Sequence, residues 1–512
     1  MLARIQSSAV IGIQAFAVAV EVDARPGMFR IRMVGLPDAA VKESEERVHS
    51  AIRNSGFRFP SGNTIVNLAP ADMRKQGGAL DLPIGLGVLA ASGQLNGERM
   101  TEYLVAGELA LDGTVRAVTG ALPMAITARE MGLRGIVLPA QNVEEAGVVE
   151  GVDVIPVADL HHAHAFFEGS CDIAPHRTDV SRIAREAHNV VRDLRDVKGQ
   201  AHVKRALTVA AAGAHNVLMI GPPGTGKTML ASRLPGILPE LTFEEALETT
   251  RIYSVAPNVN AGKSLVLHRP FRSPHHTSTT VAITGGGANL PVPGEVSLAH
   301  NGVLFLDELP EFNRAALEVL RQPLEEGQVH IRRANYSIAF PSRFMLVVAM
   351  NPCPCGCRTH PQKPCRCSAG DIQRYMARVS GPLLDRIDIH VDVPALRFEE
   401  LHSDNGDGPS SDEVRAQVQE ARDRQRARAK GRHVWNAYLE TAQMRKYCAL
   451  DSDARDMLEM AVVKMGFSAR AHDKVLRVAR TLADLEGLEH IAATHVSEAI
   501  QYRSLDKEYM VA

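Results

Sequence analysis

The chain has 512 residues, more than one hydrophobic core usually organises, so it should divide into several compact units. Apolar residues make up 45% and charged residues 23%, ordinary globular usage that excludes wholesale disorder and a fibrous protein. A net charge of -2 excludes a globally basic nucleic-acid coat, although a ring can still concentrate positive charge in its pore.

Near the start, Ser8 to Val22 is the longest early apolar stretch, but Gln14 and Glu21 interrupt it. It falls short of the roughly 18 residues a membrane helix needs. The alternation from Val18 to Asp23 predicts a strand rather than a secretory leader. Residues 1–168 then alternate strand-like runs (64–68, 135–139, 152–155) with helix-like stretches (42–54, 83–91), which predicts an α+β or α/β module. The polar segment 169–192 lacks apolar periodicity and reads as a linker. From 193 to 398, apolar strands at 216–220, 302–306 and 344–349 alternate with helical stretches, predicting an α/β unit with a parallel sheet. Residues 399–412 are rich in Ser, Asp, Gly and Pro and read as a flexible loop. Helix formers dominate 413–512, a helical lid.

Gly221, Pro222, Pro223, Gly224, Thr225, Gly226, Lys227 and Thr228 form a P-loop between the strand ending at Ile220 and a helix-like stretch, the context this motif requires. Its backbone N–H groups would wrap the phosphates of ATP, Lys227 would neutralise their charge, and the Thr228 hydroxyl would sit on Mg²⁺. The strand Val303 to Leu306 runs into Asp307 and Glu308. Asp307 is the expected Mg²⁺ holder, and Glu308 the base that activates water. A third strand leads to Asn351, whose amide suits the γ-phosphate or the water.

Together with Asn351, the P-loop and these acids, the stretch Ser380 to Asp388 and the block Arg269 to Glu311, with its Ser273-Pro274-His275-His276-Thr277-Ser278, resemble the magnesium-chelatase-like AAA+ proteins of the YifB/ComM family. The resemblance covers nearly the whole chain. It implies a cytoplasmic homohexamer with ATP sites between subunits. Arg386 would be the finger reaching a neighbour's γ-phosphate, and Arg470 the second sensor acting on nucleotide in cis. It further implies a DNA helicase or translocase promoting branch migration during natural transformation, with single-stranded or branched DNA and recombination proteins as partners. A chelatase-like motor that remodels a partner protein is the alternative.

Gly327 to Ile338 reads as a β-hairpin. In the related helicases a hairpin at this place enters the ring pore, where Arg332 and Arg333 would drag a phosphate backbone. The insert from Arg272 to Glu295 is a second candidate pore element, and the basic stretch Arg422, Arg424, Arg426, Arg428, Lys430 and Arg432 a candidate DNA contact outside the pore. Five of the seven cysteines crowd between Cys353 and Cys367, a spacing that favours a metal site or reduced thiols over a disulfide framework. Cys353, Cys355, Cys365 and Cys367 are the symmetrical set for a structural Zn²⁺, with Cys357 and His360 as alternative ligands.

The first domain resembles the Lon-protease-like, ribosomal-S5-type fold in Val105 to Gly113 and Thr119 to Pro123. A Ser-Lys protease needs both members of its dyad. Here the serine segment reads Gly77-Gly78-Ala79-Leu80-Asp81 and the lysine position falls on Pro123, so proteolysis is not expected.

Overall fold

The computed structural model describes residues 1–73, 75, 77–187, 192–256, 265–287, 291–333, 336–396, 408–431 and 434–505. The N-terminal unit is built on a mixed seven-stranded sheet, in the spatial order Arg30–Val34, Asn63–Ala69, Gln14–Arg25, Leu2–Ile11, Tyr103–Val105, Gly135–Pro139, Asp153–Val157. The early apolar stretch is the Leu2–Ile11/Gln14–Arg25 hairpin, paired Ile5 to Val20 and Ala9 to Phe16. Its alternation buries Ile5, Val18, Val20 and Val22, as a strand with one face on a core requires. Beyond Asp81 at its start, helix Asp81–Ala91 is apolar around its whole circumference and every residue of it is buried, the pattern of a helix enclosed by the domain.

The expected linker is in part structural. The His176 N–H donates to the Val154 carbonyl at 2.8 Å and the Thr178 hydroxyl to the Glu144 carbonyl at 2.7 Å, so the chain stays on the first domain beyond residue 168. A helix, Val180–Ala187, follows. The segment lacks a sustained apolar period because isolated contacts, Ile173 and Val180 against the cores and these hydrogen bonds, hold it.

The second unit is a five-stranded parallel sheet in the order Phe271–Arg272, Val303–Leu306, Met345–Met350, Val217–Ile220, Ile389–Asp392. Its central strands are buried on both faces, which is why they read as unbroken apolar runs. Leu218, Ile220, Leu304, Leu306, Leu346 and Val348 face one core; Val217, Met219, Val303, Phe305, Val347 and Ala349 face the other. The second core continues into the lid through Val475, Val478 and Leu482 of helix Ala469–Leu485. The first domain docks through Leu122 and Ala125, which cluster with Ala246 of helix Phe243–Ser254, and through Ile11 and Ile13 against the other face.

Two expectations about the lid change. Of the expected loop 399–412, residues 399–407 lie outside the described ones, whereas Ser410 caps helix Ser411–Arg428 in a reciprocal box with Glu413, so 410–412 belong to the helix start. Most of the basic stretch is not an outward face, although Lys430 is exposed. Arg422 is buried, donates twice to the Ala211 carbonyl at 3.0 and 2.7 Å, and lies 4.6 Å over the Trp435 ring. Arg428 pairs with the buried Asp484, Arg424 donates to the Asp484 carbonyl at 2.7 Å, and Arg426 meets Asp423 at 3.4 Å. The helical period turns Val414, Val418, Ala421, Arg422 and Gln425 inward together, so guanidinium groups that look like a charge run serve as internal hydrogen-bond donors. Arg432 lies outside the described residues.

Candidate nucleotide site

At the carboxyl ends of the parallel strands, Gly221 to Thr228 leads from strand Val217–Ile220 into helix Lys227–Ala231. Gly224 at φ 80° and Gly226 at φ 87° adopt the left-handed backbone that favours glycine, and a Cβ on either would meet nothing within 4 Å. The loop is therefore an open concavity of backbone N–H groups at a helix start, a shape and polarity matched to phosphate. The Lys227 ammonium donates to the carbonyls of Gly221 and Pro222 at 2.7 and 2.8 Å and to Asn351 Oδ1 at 3.3 Å. Burial lowers its pKa, opposed by Asp307, Asp392 and Glu308. The P-loop thus carries a desolvated cation facing three acids at the same strand ends.

The Thr228 hydroxyl donates to Asp307 Oδ2 at 2.6 Å, so the two oxygen groups expected to share a divalent cation already adjoin. Asp307 Oδ1 accepts the Glu308 N–H at 2.9 Å, leaving Glu308 at φ 54° and ψ 46°. A left-handed residue with a Cβ costs roughly 1–2 kcal/mol, and such conformations collect at functional sites. The turn throws the carboxylate off the strand axis; its side chain is 57% exposed, with His276 Nδ1 3.6 Å from Oε2. Asn351 ends strand Met345–Met350, and its backbone hydrogen-bonds Tyr375, whose hydroxyl burial pushes up to about 12.

Sequence reading missed His276 and Tyr375. His276 stood inside the block that carries the family resemblance, but nothing in its spacing tied it to Glu308; Tyr375 gave no signal. The insert Arg272 to Glu295 is closed at its base by a two-bond ion pair between those residues, 2.7 and 2.8 Å. Its Ile283 shares a core with Val329, Ile331, Ile338 and Phe340 of the expected hairpin. That hairpin is present as Gln328–Arg333 against Tyr336–Pro341, with Arg333 opposite Tyr336. Arg332 is exposed.

The two candidate arginines stand at the other ends of the strands. Arg386 pairs with Glu325 and donates to the Pro382 carbonyl, while its own carbonyl accepts from the Asn216 side chain at 2.9 Å, just before the P-loop strand begins. Arg470 lies 3.9 Å from Asp385, beside Arg386 and before strand Ile389–Asp392. The four-residue P-loop strand separates these arginines from Lys227 by about 13 Å of backbone rise. The structure does not bring Arg470 to its own P-loop as a cis sensor would require; helix Ala469–Leu485 is pinned to the far strand ends, where Lys474 donates to the Ile387 carbonyl at 3.0 Å.

In the first domain, Asp81 is buried and held by Arg47 at 2.8 Å and by Ser44. Asp81, the last residue of the segment Gly77 to Asp81, thus stands in a satisfied ion pair.

Three family models match the chain in succession: subunit ChlI of Mg-chelatase over residues 20–142, magnesium chelatase, subunit ChlI over 193–401, and its C-terminal part over 408–503. Competence protein ComM of Haemophilus influenzae is 45% identical over 511 residues, covering 98% of each chain. YifB of Escherichia coli is 44% identical over 509 residues, covering 99% of this chain and 98% of YifB. Lon protease 2 of Bacillus subtilis is 30% identical over 159 residues, 28% of this chain and 27% of the protease. With a Lon-like first domain, a P-loop core on a parallel sheet and a helical lid, the chain belongs to the YifB/ComM family of magnesium-chelatase-like AAA+ proteins.

Proposed function

We propose that the protein is an ATP-hydrolysing motor, working as a homohexamer, that moves along or remodels single-stranded or branched DNA and promotes branch migration in homologous recombination. Natural transformation, with recombination proteins as partners, is the setting suggested by the name of the Haemophilus relative. Glu308 would accept the proton of the attacking water while the Asn351 amide holds that water and Lys227 balances phosphate charge. A Mg²⁺ held by Thr228 and Asp307 would supply further charge neutralisation on the phosphates. Arg386 and Arg470 would complete a neighbour's site across the subunit boundary.

The observation that carries the DNA reading is the hairpin 328–341. Its inner residues Val329, Ile331, Ile338 and Phe340 share a core with Leu304, Leu306, Val348 and Met350 of the strands that end in Asp307 and Asn351. A shift at those strand ends therefore reaches the hairpin through contiguous packing, and Arg332 stands exposed on it to meet phosphates. The match to the chelatase subunit models favours the second reading, a motor acting on a partner protein.

The deciding measurement is ATP turnover by purified protein with and without single-stranded and forked DNA, for wild type and an Arg332→Ala/Arg333→Ala variant. Stimulation by DNA that disappears in the variant is the expected result. Protein that assembles with ATP yet neither binds DNA nor responds to it would replace the DNA reading with the partner-protein one.

A further inference from the structure

The loop after Asn351 collects cysteines that neither the nucleotide site nor the hairpin uses. The sulfurs of Cys353, Cys355, Cys365 and Cys367 all lie within 4.8 Å of one another. Cys353 and Cys355 are 3.5 Å apart, and Cys365 is 3.7 Å from each of them. Four thiolates around Zn²⁺ at about 2.3 Å define a tetrahedron with edges of about 3.8 Å, so the three separations among Cys353, Cys355 and Cys365 match one face of a zinc–sulfur tetrahedron, with the Cys367 sulfur nearby. All seven cysteines are free thiols. Four sulfurs gathered this closely without a disulfide gain little from one another, because S–H is a weak donor and sulfur a weak acceptor.

The alternatives left by the sequence are resolved by geometry. Cys357 turns away and donates to the Cys355 carbonyl at 3.4 Å. The His360 ring accepts the N–H groups of Gln362 and Lys363, both at 3.1 Å, through Nδ1, and so closes a local turn. Backbone N–H groups point at the sulfurs instead: that of Arg358 at Cys353, and those of Cys357 and Arg366 at Cys355. Such N–H···S bonds are the outer shell that orients thiolate ligands and spreads their charge.

The loop also touches the P-loop. A Cβ on Gly356, which sits at φ 74°, would lie 2.6 Å from Cδ of Pro223 and 3.8 Å from Cγ of Asn351. The cluster therefore begins two residues after Asn351 and presses its glycine against the loop that carries Lys227.

We propose that Cys353, Cys355, Cys365 and Cys367 bind one structural Zn²⁺, and that the resulting knuckle positions Asn351 and Pro223 for nucleotide. On binding, the four thiols give up their protons to solvent and four S–Zn bonds form; no electron transfer is involved. Four protein ligands leave no open coordination position, so the metal is structural. Its binding is independent of the DNA reading, whereas its effect on turnover rests on the assignment of the P-loop and Asn351.

The test is metal content by elemental analysis of the full-length protein purified under reducing conditions, with zinc release by an organomercurial followed with a chromogenic chelator. One zinc per chain is expected, retained in Cys357→Ser and lost in Cys353→Ser/Cys365→Ser. If the double variant does not fold, cobalt loading of the metal-stripped wild type keeps the question open to decision, since a tetrathiolate site gives the intense absorption of tetrahedral Co²⁺. Folded protein that takes up neither metal overturns the site; iron in place of zinc overturns the identity of the ion. Removing the metal should lower ATP turnover about 10²-fold, the loss that a misplacement of about 1 Å produces, and restoring zinc should recover it. Zinc bound stoichiometrically with turnover unchanged by its removal would leave the site standing and overturn its positioning role.

Discussion

The two ends of the parallel sheet carry unlike chemistry. At the carboxyl ends, one chain assembles a buried lysine, the adjoining pair Thr228 and Asp307, a base held off the strand axis and an amide. At the amino ends stand Arg386 and Arg470, each resting against an acid of its own chain, Glu325 and Asp385. The first end is preorganised by backbone turns and burial; at the second, Arg386 is 12% exposed against a Glu325 that is 58% exposed, whereas Arg470 is 69% exposed in its side chain and 3.9 Å from Asp385. The exposed Arg470–Asp385 pair is of a kind that contributes little, typically under about 1 kcal/mol, and so exchanges readily for a stronger anion. The difference teaches that a single chain gathers the P-loop lysine, the acids and the amide at one end of the sheet and keeps Arg386 and Arg470 at the other, the division that the proposed shared site requires.

The largest expected effect tests that division. Arg386→Ala should lower ATP turnover by roughly 10³- to 10⁵-fold, the range measured for arginine fingers in GTPase systems, with nucleotide affinity nearly unchanged. Mixing it with Lys227→Ala subunits should restore part of the activity, because each variant supplies what the other lacks. Turnover that stays at the level of the separate variants after mixing would break the comparison. Next in size, Glu308→Gln should reduce turnover by about 10²- to 10⁴-fold while ATP binding and assembly persist, measured with a fluorescent nucleotide and by sedimentation. Normal turnover would remove Glu308 as the base.

Smaller effects sharpen the contrast between inward and outward arginines. Arg422→Ala should cost roughly 1–3 kcal/mol, because the Ala211 carbonyl loses its donor in a buried place, read as a lower denaturant midpoint with DNA affinity unaltered. A selective loss of DNA binding with full stability would return this helix to the DNA-contact reading. Arg426→Ala, which gives up only an exposed pair with Asp423, should change stability by less than about 0.5 kcal/mol.

Much of this was legible beforehand where chemistry is local. The P-loop, Asp307, Glu308 and Asn351 follow strands whose apolar runs announce burial on both faces, so motif and strand end coincide in sequence and in space. The cysteine spacing likewise named the four sulfurs that converge. Legibility failed where partners are distant along the chain. Arg422 meets Ala211 and Arg428 meets Asp484 across gaps of 211 and 56 residues, and a charge run gives no sign of such partners. His276 and Glu308 come together because strand Phe271–Arg272 pairs in parallel with Val303–Leu306, a neighbour relation the intervening sequence does not encode locally.

The sequence by itself determined the nucleotide loop, the strands that present it and the metal-ligand spacing, since each depends on residue types a few positions apart. Only the tertiary structure decided that Arg470 lies with Arg386 rather than with Lys227, that Cys357 and His360 stand outside the sulfur cluster, and that Arg422, Arg424 and Arg428 find partners within the lid and core. Those outcomes depend on which buried carbonyls and carboxylates lie within hydrogen-bond reach once the sheet, lid and first domain have packed. A polar side chain brought into such a place must find a partner there or lose the free energy of its hydration.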